Sequence, residues 1–210
     1  MCGIAGHWSI TRHRDSADLR TGVETMCQNI AHRGPDAHGI YIDPDLPIVL
    51  GHQRLSILDL ASGTQPMSDT TSNYWLVFNG EIYNYRALRK TLQGLGHHFK
   101  TQSDAETIIY AYREWGERCV EHLDGMFAFA LWDRIQQQLF CARDRLGIKP
   151  FYYYCADGEF AFCSELKGLV ANAEIKLSVD YSVLGEFLTD GYVANEQTSI
   201  RATRRLPPGH

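Results

Sequence analysis

The sequence lacks the features that mark several large classes of protein. It contains no run of eighteen apolar residues, so no membrane span is predicted. Its N-terminus has neither a basic lead nor a long apolar segment, and we therefore expect no secretory signal. The formal net charge of -5 provides no basic surface for nucleic acid. We expect neither a membrane nor a nucleic acid among its partners.

Paired cysteines and recognisable cofactor motifs are also missing. The six cysteines form no C-x-x-C pair, and without a secretory signal we expect reduced thiols in the cytoplasm. His52, His97 and His98 form no metal-ligand pattern with cysteine or acidic residues, so no metal is predicted. No P-loop or dinucleotide glycine motif is present. The sequence therefore predicts no cofactor for this domain.

The pattern of the chain predicts an α+β domain. Of its 210 residues, 44% are hydrophobic and 21% charged, which is ordinary globular composition. The order mixes strands joined by hairpins with helices that come in pairs and lacks a regular strand–helix–strand alternation, so we expect antiparallel sheets covered by helices. The predicted strands are residues 3–9, 39–43, 48–60, 74–78, 126–132, 138–143, 151–155 and 159–163. The predicted helices are residues 16–31, 85–95, 165–172 and 181–189, with another opened by a capping box at Ser103 and Glu106, and residues 61–72 form a polar loop.

The first candidate catalytic residue is Cys2. Removal of Met1 would make Cys2 the N-terminal residue, with a thiol and a free α-amine on the same carbon. An α-amine has an unperturbed pKa near 8, so it can take the proton of the thiol without a histidine. The alternative from the residue alone is an incidental or buried thiol.

A thiol that attacks an amide carbonyl needs hydrogen-bond donors for the developing oxyanion. Asn79 and the backbone N–H of Gly80 would supply two, although Asn-Gly is also a common hairpin turn. An amino-acid substrate further needs a cation and an anion, for which Arg54, Asp104 and Glu81 are candidates. Their structural alternatives are a surface strand residue, helix-dipole stabilisation and a solvated turn residue.

Seven motifs in order resemble one known family. They are MCGIAG (1–6), HRGPD (32–36), RLSI (54–57), NGEIYN (79–84), SD (103–104), FAFALWD (127–133) and RDRLGIKP (143–150). Together they resemble the glutaminase domain of class II glutamine amidotransferases. Pro35 and Asp36 favour the asparagine synthetase branch over the branch that makes glucosamine phosphate. From spacing alone, residues 143–150 are a solvated turn with a local ion pair.

The resemblance implies a four-layer αββα N-terminal-nucleophile hydrolase fold, with two stacked antiparallel sheets flanked by helices. It also implies hydrolysis of L-glutamine to glutamate and ammonia through a γ-glutamyl thioester. The implied roles are Cys2 as nucleophile with its amine as base, Asn79 and Gly80 as oxyanion hole, Arg54 with the backbone of Leu55 to Ile57 at the glutamine carboxylate, and Asp104 with Glu81 at its ammonium group.

The resemblance further divides the chain into a glutaminase domain, residues 2–190, and a connection, residues 191–210, toward a C-terminal synthetase domain. That domain would use ATP and magnesium to amidate a carboxylate, commonly that of aspartate. Residues 192–196 depart from the proline-containing family pattern. The alternatives are a silent glutamine-binding scaffold, a relative that amidates a sugar or another metabolite, and a hydrolase of another amide. A homodimer is the expected assembly.

Overall fold

The fold is seen in a computed structural model that describes residues 1–11, 14–56 and 63–210. The strands are β1 (Gly3–Ser9), β2 (Ala37–Ile42), β3 (Ile48–Arg54), β4 (Met67–Ser68), β5 (Tyr74–Ile82), β6 (Gly125–Asp133), β7 (Gln138–Arg143), β8 (Tyr152–Ala156), β9 (Glu159–Cys163) and β10 (Thr203–Arg205). The α-helices are α1 (Ser16–Asn29), α2 (Tyr85–Gly94), α3 (Asp104–Trp115), α4 (Leu166–Ala171) and α5 (Leu184–Asp190), with 3-10 helices at Ala31–Arg33 and Gly116–His122.

The strands form two antiparallel sheets. One has six strands in the order β10-β8-β9-β1-β3-β2, and the other has four in the order β4-β5-β6-β7. Alternate residues of each strand face opposite sides, so each sheet must be covered on both faces. This arrangement agrees with the predicted α+β class.

Three hydrophobic clusters define four layers. One lies between the sheets and includes Ile4, Leu50, Val77 and Trp132. A second packs the four-stranded sheet against α2 and α3, and a third packs the six-stranded sheet against α1 and α4. The helix–sheet–sheet–helix order confirms the predicted αββα fold.

The helices follow the predicted apolar pattern, with one difference in capping. Ser103 caps α3 as predicted, because its hydroxyl accepts a hydrogen bond from the N–H of Ala105 at 3.2 Å. Glu106 does not complete a capping box. Its carboxylate instead accepts from the backbone N–H groups of Lys100 and Thr101, both at 2.8 Å, and so fixes the loop that enters the helix.

The strand boundaries differ from the prediction in both sheets: β3 ends at Arg54 instead of residue 60, and β5 continues past residue 78 to Ile82. The predicted polar loop contains β4, which pairs with Leu76 and Trp75 of β5. Near the C-terminus, β10 pairs with β8 and adds an edge strand that no apolar run indicated. The predicted hairpin at Asp157 and Gly158 is confirmed, since both residues have positive φ between β8 and β9.

Candidate active site

The ends of β1 and β3 place Cys2 beside Arg54. The two strands are antiparallel, and Gly3 pairs with Gln53, so the next residues outward are Cys2 and Arg54. Ile4 and Leu50 point into the space between the sheets. Because side chains alternate along a strand, Cys2 and Arg54 share that inward direction.

β5 brings Asn79 to the same space. The strand runs through Asn79 and Gly80, which pair with Ala128 and Phe127 of β6, so the alternative of a hairpin turn at Asn-Gly is wrong. Val77 belongs to the cluster between the sheets, and the alternation puts Asn79 and Glu81 on the same face. A Cβ at Gly80 would lie 2.3 Å from the carbonyl oxygen of Met126, so the close approach of β6 requires glycine there.

A single cavity of about 150 Å³ collects these residues. It is lined by seven of the eight predicted site residues, namely Cys2, Arg54, Leu55, Asn79, Gly80, Glu81 and Asp104. The eighth, Ile57, lies outside the described residues. Met1, Gly63, Gln65, Phe78, Ser103, Met126 and Lys149 complete the lining.

The thiol of Cys2 is held by backbone groups. The N–H of Leu55 donates to Sγ at 3.4 Å, and the thiol donates to the carbonyl oxygen of Leu55 at 3.6 Å. Burial raises the pKa of Cys2, while the hydrogen bond from Leu55 opposes this rise. The thiol is therefore protonated near neutral pH while Met1 is attached, and its activation requires a base.

The side-chain amide of Asn79 is a buried hydrogen-bond donor without an acceptor among the described residues. Asn79 is 1% exposed, and its Nδ2 has no hydrogen-bond partner among the described parts of the chain. A buried unsatisfied amide costs about 1–3 kcal/mol, and proteins rarely leave one without a reason. An oxyanion formed next to Cys2 would supply the missing acceptor.

Asp104 joins the site from α3, on the far side of the four-stranded sheet. Its carboxylate accepts from the N–H of Ile82 at 2.9 Å and from the N–H of Ala105 at 3.0 Å. Burial raises the pKa of Asp104 against these hydrogen bonds, and neighbouring Glu81 raises it further. The two carboxyl groups thus give the cavity an electronegative side that a substrate ammonium group would satisfy.

Arg33 was missed as a functional residue by the sequence analysis. Its Nε donates to the carbonyl oxygen of Cys2 at 3.0 Å, and its Nη1 donates to Glu165 at 2.9 Å. The HRGPD motif also holds the segment that follows Arg54, since the N–H of Ser56 donates to Asp36 at 2.7 Å. The sequence did contain one signal for Arg33, a cation within the helix-breaking HRGPD motif. Residue spacing alone assigns this motif to a turn.

The turn after β7 is solvated only in part, in contrast to the interpretation from spacing alone. Arg145, Leu146 and Ile148 are exposed, whereas Arg143, Asp144 and Lys149 are buried. Asp144 is 1% exposed and accepts hydrogen bonds from the backbone N–H groups of Phe127, Leu146, Ile148 and Lys149. The guanidinium of Arg143 donates to the carbonyl oxygens of Lys149, Gly147 and Leu206. Both charged side chains form hydrogen bonds to backbone groups and do not form a solvated ion pair. The turn therefore has a fixed shape, and it places Lys149 in the cavity.

His52 supports β5 beside Asn79. It is fully buried, and its Nε2 lies 3.1 Å from the carbonyl oxygen of Phe78, to which it must donate because a carbonyl only accepts. Burial lowers the pKa of His52 to about 4, so the ring is neutral at pH 7. Through this hydrogen bond it holds β5 in place.

The described residues show neither a metal-ligand cluster nor a membrane-spanning helix. In residues 1–11, 14–56 and 63–210, no group of three or more His, Cys, Asp or Glu side chains is placed to hold a metal ion. No helix within these ranges is long and apolar enough to cross a bilayer.

The two stacked antiparallel sheets between helical layers have the fold of the N-terminal-nucleophile hydrolases. Solved structures support this fold. Glutamine phosphoribosylpyrophosphate amidotransferase from B. subtilis, complexed with ADP and GMP, superposes with a TM-score of 0.65 over 81% of this chain and 43% of that one. The two sequences are 19% identical, so this likeness concerns the fold alone.

The family is shown by the sequence. A family model described as a glutamine amidotransferase domain matches residues 1–210, and the chain belongs to this family. Among curated proteins, asparagine synthetase [glutamine-hydrolyzing] 3 of Bacillus subtilis is 38% identical over all of this chain and 34% of its own length. Asparagine synthetase [glutamine-hydrolyzing] 1 of the same organism is 37% identical over 33% of its length. The chain thus spans about a third of these relatives.

Proposed function

We propose that this domain hydrolyses L-glutamine to glutamate and ammonia, with Cys2 as the nucleophile. One observation carries the proposal: the Cys2 thiol and the unpartnered amide of Asn79 face the same small cavity. A nucleophile next to a free donor is the arrangement that amide hydrolysis requires. Membership of the glutamine amidotransferase family supports the choice of amide.

The charges of the cavity match the backbone of an amino acid. Arg54 is a cation for the α-carboxylate, and the backbone N–H and C=O groups of Leu55 lie beside the thiol. Asp104 and Glu81 are anions for the α-ammonium group. Binding both ends would direct the side-chain amide of glutamine toward Cys2.

The first half of the reaction forms a thioester. After Met1 is removed, the α-amine of Cys2 takes the thiol proton, and Sγ forms a bond to the δ-carbon of glutamine. The amide oxygen becomes an oxyanion that accepts from Asn79 Nδ2 and the N–H of Gly80. The intermediate collapses as the C–N bond breaks, and the leaving amine takes the proton from the α-ammonium group as ammonia.

The second half hydrolyses the thioester. Water gives a proton to the same α-amine and attacks the carbonyl carbon, with the oxyanion again at Asn79 and Gly80. The C–S bond breaks, the thiolate regains its proton, and glutamate leaves. The balance is glutamine and water in, glutamate and ammonia out, with no cofactor in this domain.

The ammonia would be used by a further domain. Relatives three times as long as this chain are named glutamine-hydrolysing asparagine synthetases, and we propose a C-terminal partner domain that uses ATP and magnesium to amidate aspartate. Residues 191–210 would connect to it, with β10 anchored on the six-stranded sheet. We further propose a homodimer and a cytoplasmic location, where the six free cysteines would stay reduced.

The experiment is an ammonia-release assay on Cys2→Ala. Loss of the nucleophile should lower glutamine hydrolysis by at least about four orders of magnitude, since the remaining groups only stabilise an oxyanion that no longer forms. Cys155→Ser, which removes an exposed thiol, is the matched control and should keep full activity.

Two results would overturn the proposal. Ammonia release by Cys2→Ala at the wild-type rate would remove Cys2 from the chemistry. Tight glutamine binding by calorimetry, with no hydrolysis in a preparation whose mass shows that Met1 is gone, would establish a silent glutamine-binding domain instead.

A further inference from the structure

Lys149 is a buried ammonium group without an ordinary partner. The residue is 5% exposed and lines the cavity that contains Cys2. Its Nζ lies 3.4 Å from Sδ of Met1, and among the described residues it makes no ion pair. A thioether is a weak acceptor, and buried charges are normally paired. The position of Lys149 therefore needs an explanation beyond the stability of the fold.

The backbone around Lys149 is fixed on both sides. Its N–H donates to Asp144 Oδ2 at 3.0 Å, and its carbonyl oxygen accepts from Arg143 Nε at 2.6 Å. Pro150 follows and restricts the chain further. The turn thus fixes the backbone of Lys149, while the ammonium group at the end of its side chain reaches Met1.

The acceptor that Lys149 now has is the residue that the proposed reaction must remove. Cleavage of Met1 takes away Sδ and creates the α-amine of Cys2 in its place. The ammonium group would then face the thiol and the new amine. This inference rests on the proposed function, because it requires that Met1 has been removed.

The other charged groups around Cys2 already have assignments. Arg33 binds the carbonyl oxygen of Cys2 and Glu165, and Asp144 accepts four backbone N–H groups. Arg54, Glu81 and Asp104 are the proposed contacts of the glutamine α-carboxylate and α-ammonium groups. Among the described charged residues that line the cavity, Lys149 is the one to which these contacts assign no role.

We propose that, once Met1 is removed, Lys149 lies against Cys2, keeps the resting α-amine neutral so that it can take the thiol proton, and stabilises the thiolate that attacks. The α-ammonium group formed in this way then gives its proton to the leaving amine. A cation attracts the thiolate and repels an α-ammonium group, so one charge biases both groups in the useful direction. Lys149 acts through Cys2 and is a positioning residue.

The surroundings of the lysine act on its charged form in opposite directions. Burial lowers the pKa of Lys149, and Arg33 lowers it further, whereas Asp144 and Cys2 raise it. A thiolate at Cys2 would therefore stabilise the charged lysine as much as the lysine stabilises the thiolate.

The test is the pH dependence of Cys2 alkylation by iodoacetamide, followed by the mass of the N-terminal peptide. In the processed protein, Lys149→Met should move the midpoint upward by about one pH unit, the lower end of the effect of a nearby charge. Lys149→Arg should restore the wild-type midpoint, and Lys90→Met, at an exposed site on α2, should leave it unchanged. Lys149→Gln is the second neutral variant if Lys149→Met does not fold.

Ammonia release gives an independent readout. The acid limb of kcat/KM should move upward in Lys149→Met, so activity falls about tenfold at pH 6.5 and recovers at high pH. A merely structural role would lower activity equally at every pH. Because alkylation needs no glutamine, it separates this proposal from the proposed function. An unchanged alkylation midpoint in both neutral variants would overturn the role of Lys149, whatever the rate of glutamine hydrolysis.

Discussion

The two ends of β1 carry buried polar clusters that differ in how completely their groups are paired. At the far end, His7 Nε2 lies 2.8 Å from Glu159 Oε2, and the hydroxyl of Ser9 donates to Glu159 Oε1 at 2.9 Å. Since His7 donates to the carboxylate through Nε2, its Nδ1 accepts from Asn172 Nδ2 at 3.3 Å. At the near end, Asn79 Nδ2 has no partner in the described chain, and Lys149 contacts a thioether.

We interpret this difference as one between polar groups that stabilise the fold and polar groups to which the proposed function gives a role in the reaction. His7 and Asn79 are both 1% exposed, so burial alone does not distinguish the clusters. Completed hydrogen bonds compensate a buried polar group for the loss of its hydration. A buried donor or charge without a partner can still bind a group of a substrate. Variants at the two ends should therefore affect different quantities.

The largest contrast is expected for Asn79→Ala. Loss of an oxyanion donor should lower kcat for glutamine hydrolysis by about 100- to 1000-fold. The free energy of unfolding should change by less than about 1 kcal/mol, because the amide has no hydrogen bond to lose. Steady-state ammonia release and urea denaturation measure the two quantities. Wild-type kcat in a folded Asn79→Ala protein would remove Asn79 from the site.

The second contrast comes from Glu159→Ala at the paired end. Removing the carboxylate leaves His7 and Arg14 without the acceptor they share, and the free energy of unfolding should fall by about 3–5 kcal/mol. The protein that remains folded should hydrolyse glutamine with an unchanged KM. A large change in KM without a loss of stability would mean that this cluster communicates with the substrate.

The smallest effect is expected for Asn172→Ala, which removes a buried asparagine that is paired. Its Nδ2 donates to His7, and its Oδ1 accepts from the N–H of Glu174 at 3.0 Å. The free energy of unfolding should fall by about 1–3 kcal/mol, with kcat retained. The same Asn→Ala change should thus lower the free energy of unfolding and keep kcat at residue 172, whereas it should keep the free energy of unfolding and lower kcat at residue 79. Equal effects of the two variants would refute the distinction drawn between the clusters.

Much of the fold was predictable because its signals are local. The apolar run of β6 and the Asp157-Gly158 turn each act through neighbours in sequence, and both elements form as predicted. The edge strand β10 was missed because a three-residue strand has no periodicity to detect. Its place in the sheet depends on pairing with β8, which lies far away in sequence.

The site was predictable as a set of residue types, and the cavity brings together the seven that the structure describes. The contributions of Arg33 and Lys149 were not predicted, because each depends on a distant partner. Arg33 reaches Cys2 across 31 positions of sequence and Lys149 reaches Met1 across 148. A turn rich in charge looks solvated until the fold buries it, as the interior location of Asp144 illustrates.

The most direct test of the account is the mass of the active protein before and after reaction with a diazoketone analogue of glutamine. We expect an N-terminus that begins at Cys2, and one adduct on the Cys2 sulfur that forms as dinitrogen leaves and as ammonia release stops. Full activity in a protein that retains Met1, or inactivation with the adduct on a different cysteine, would contradict it.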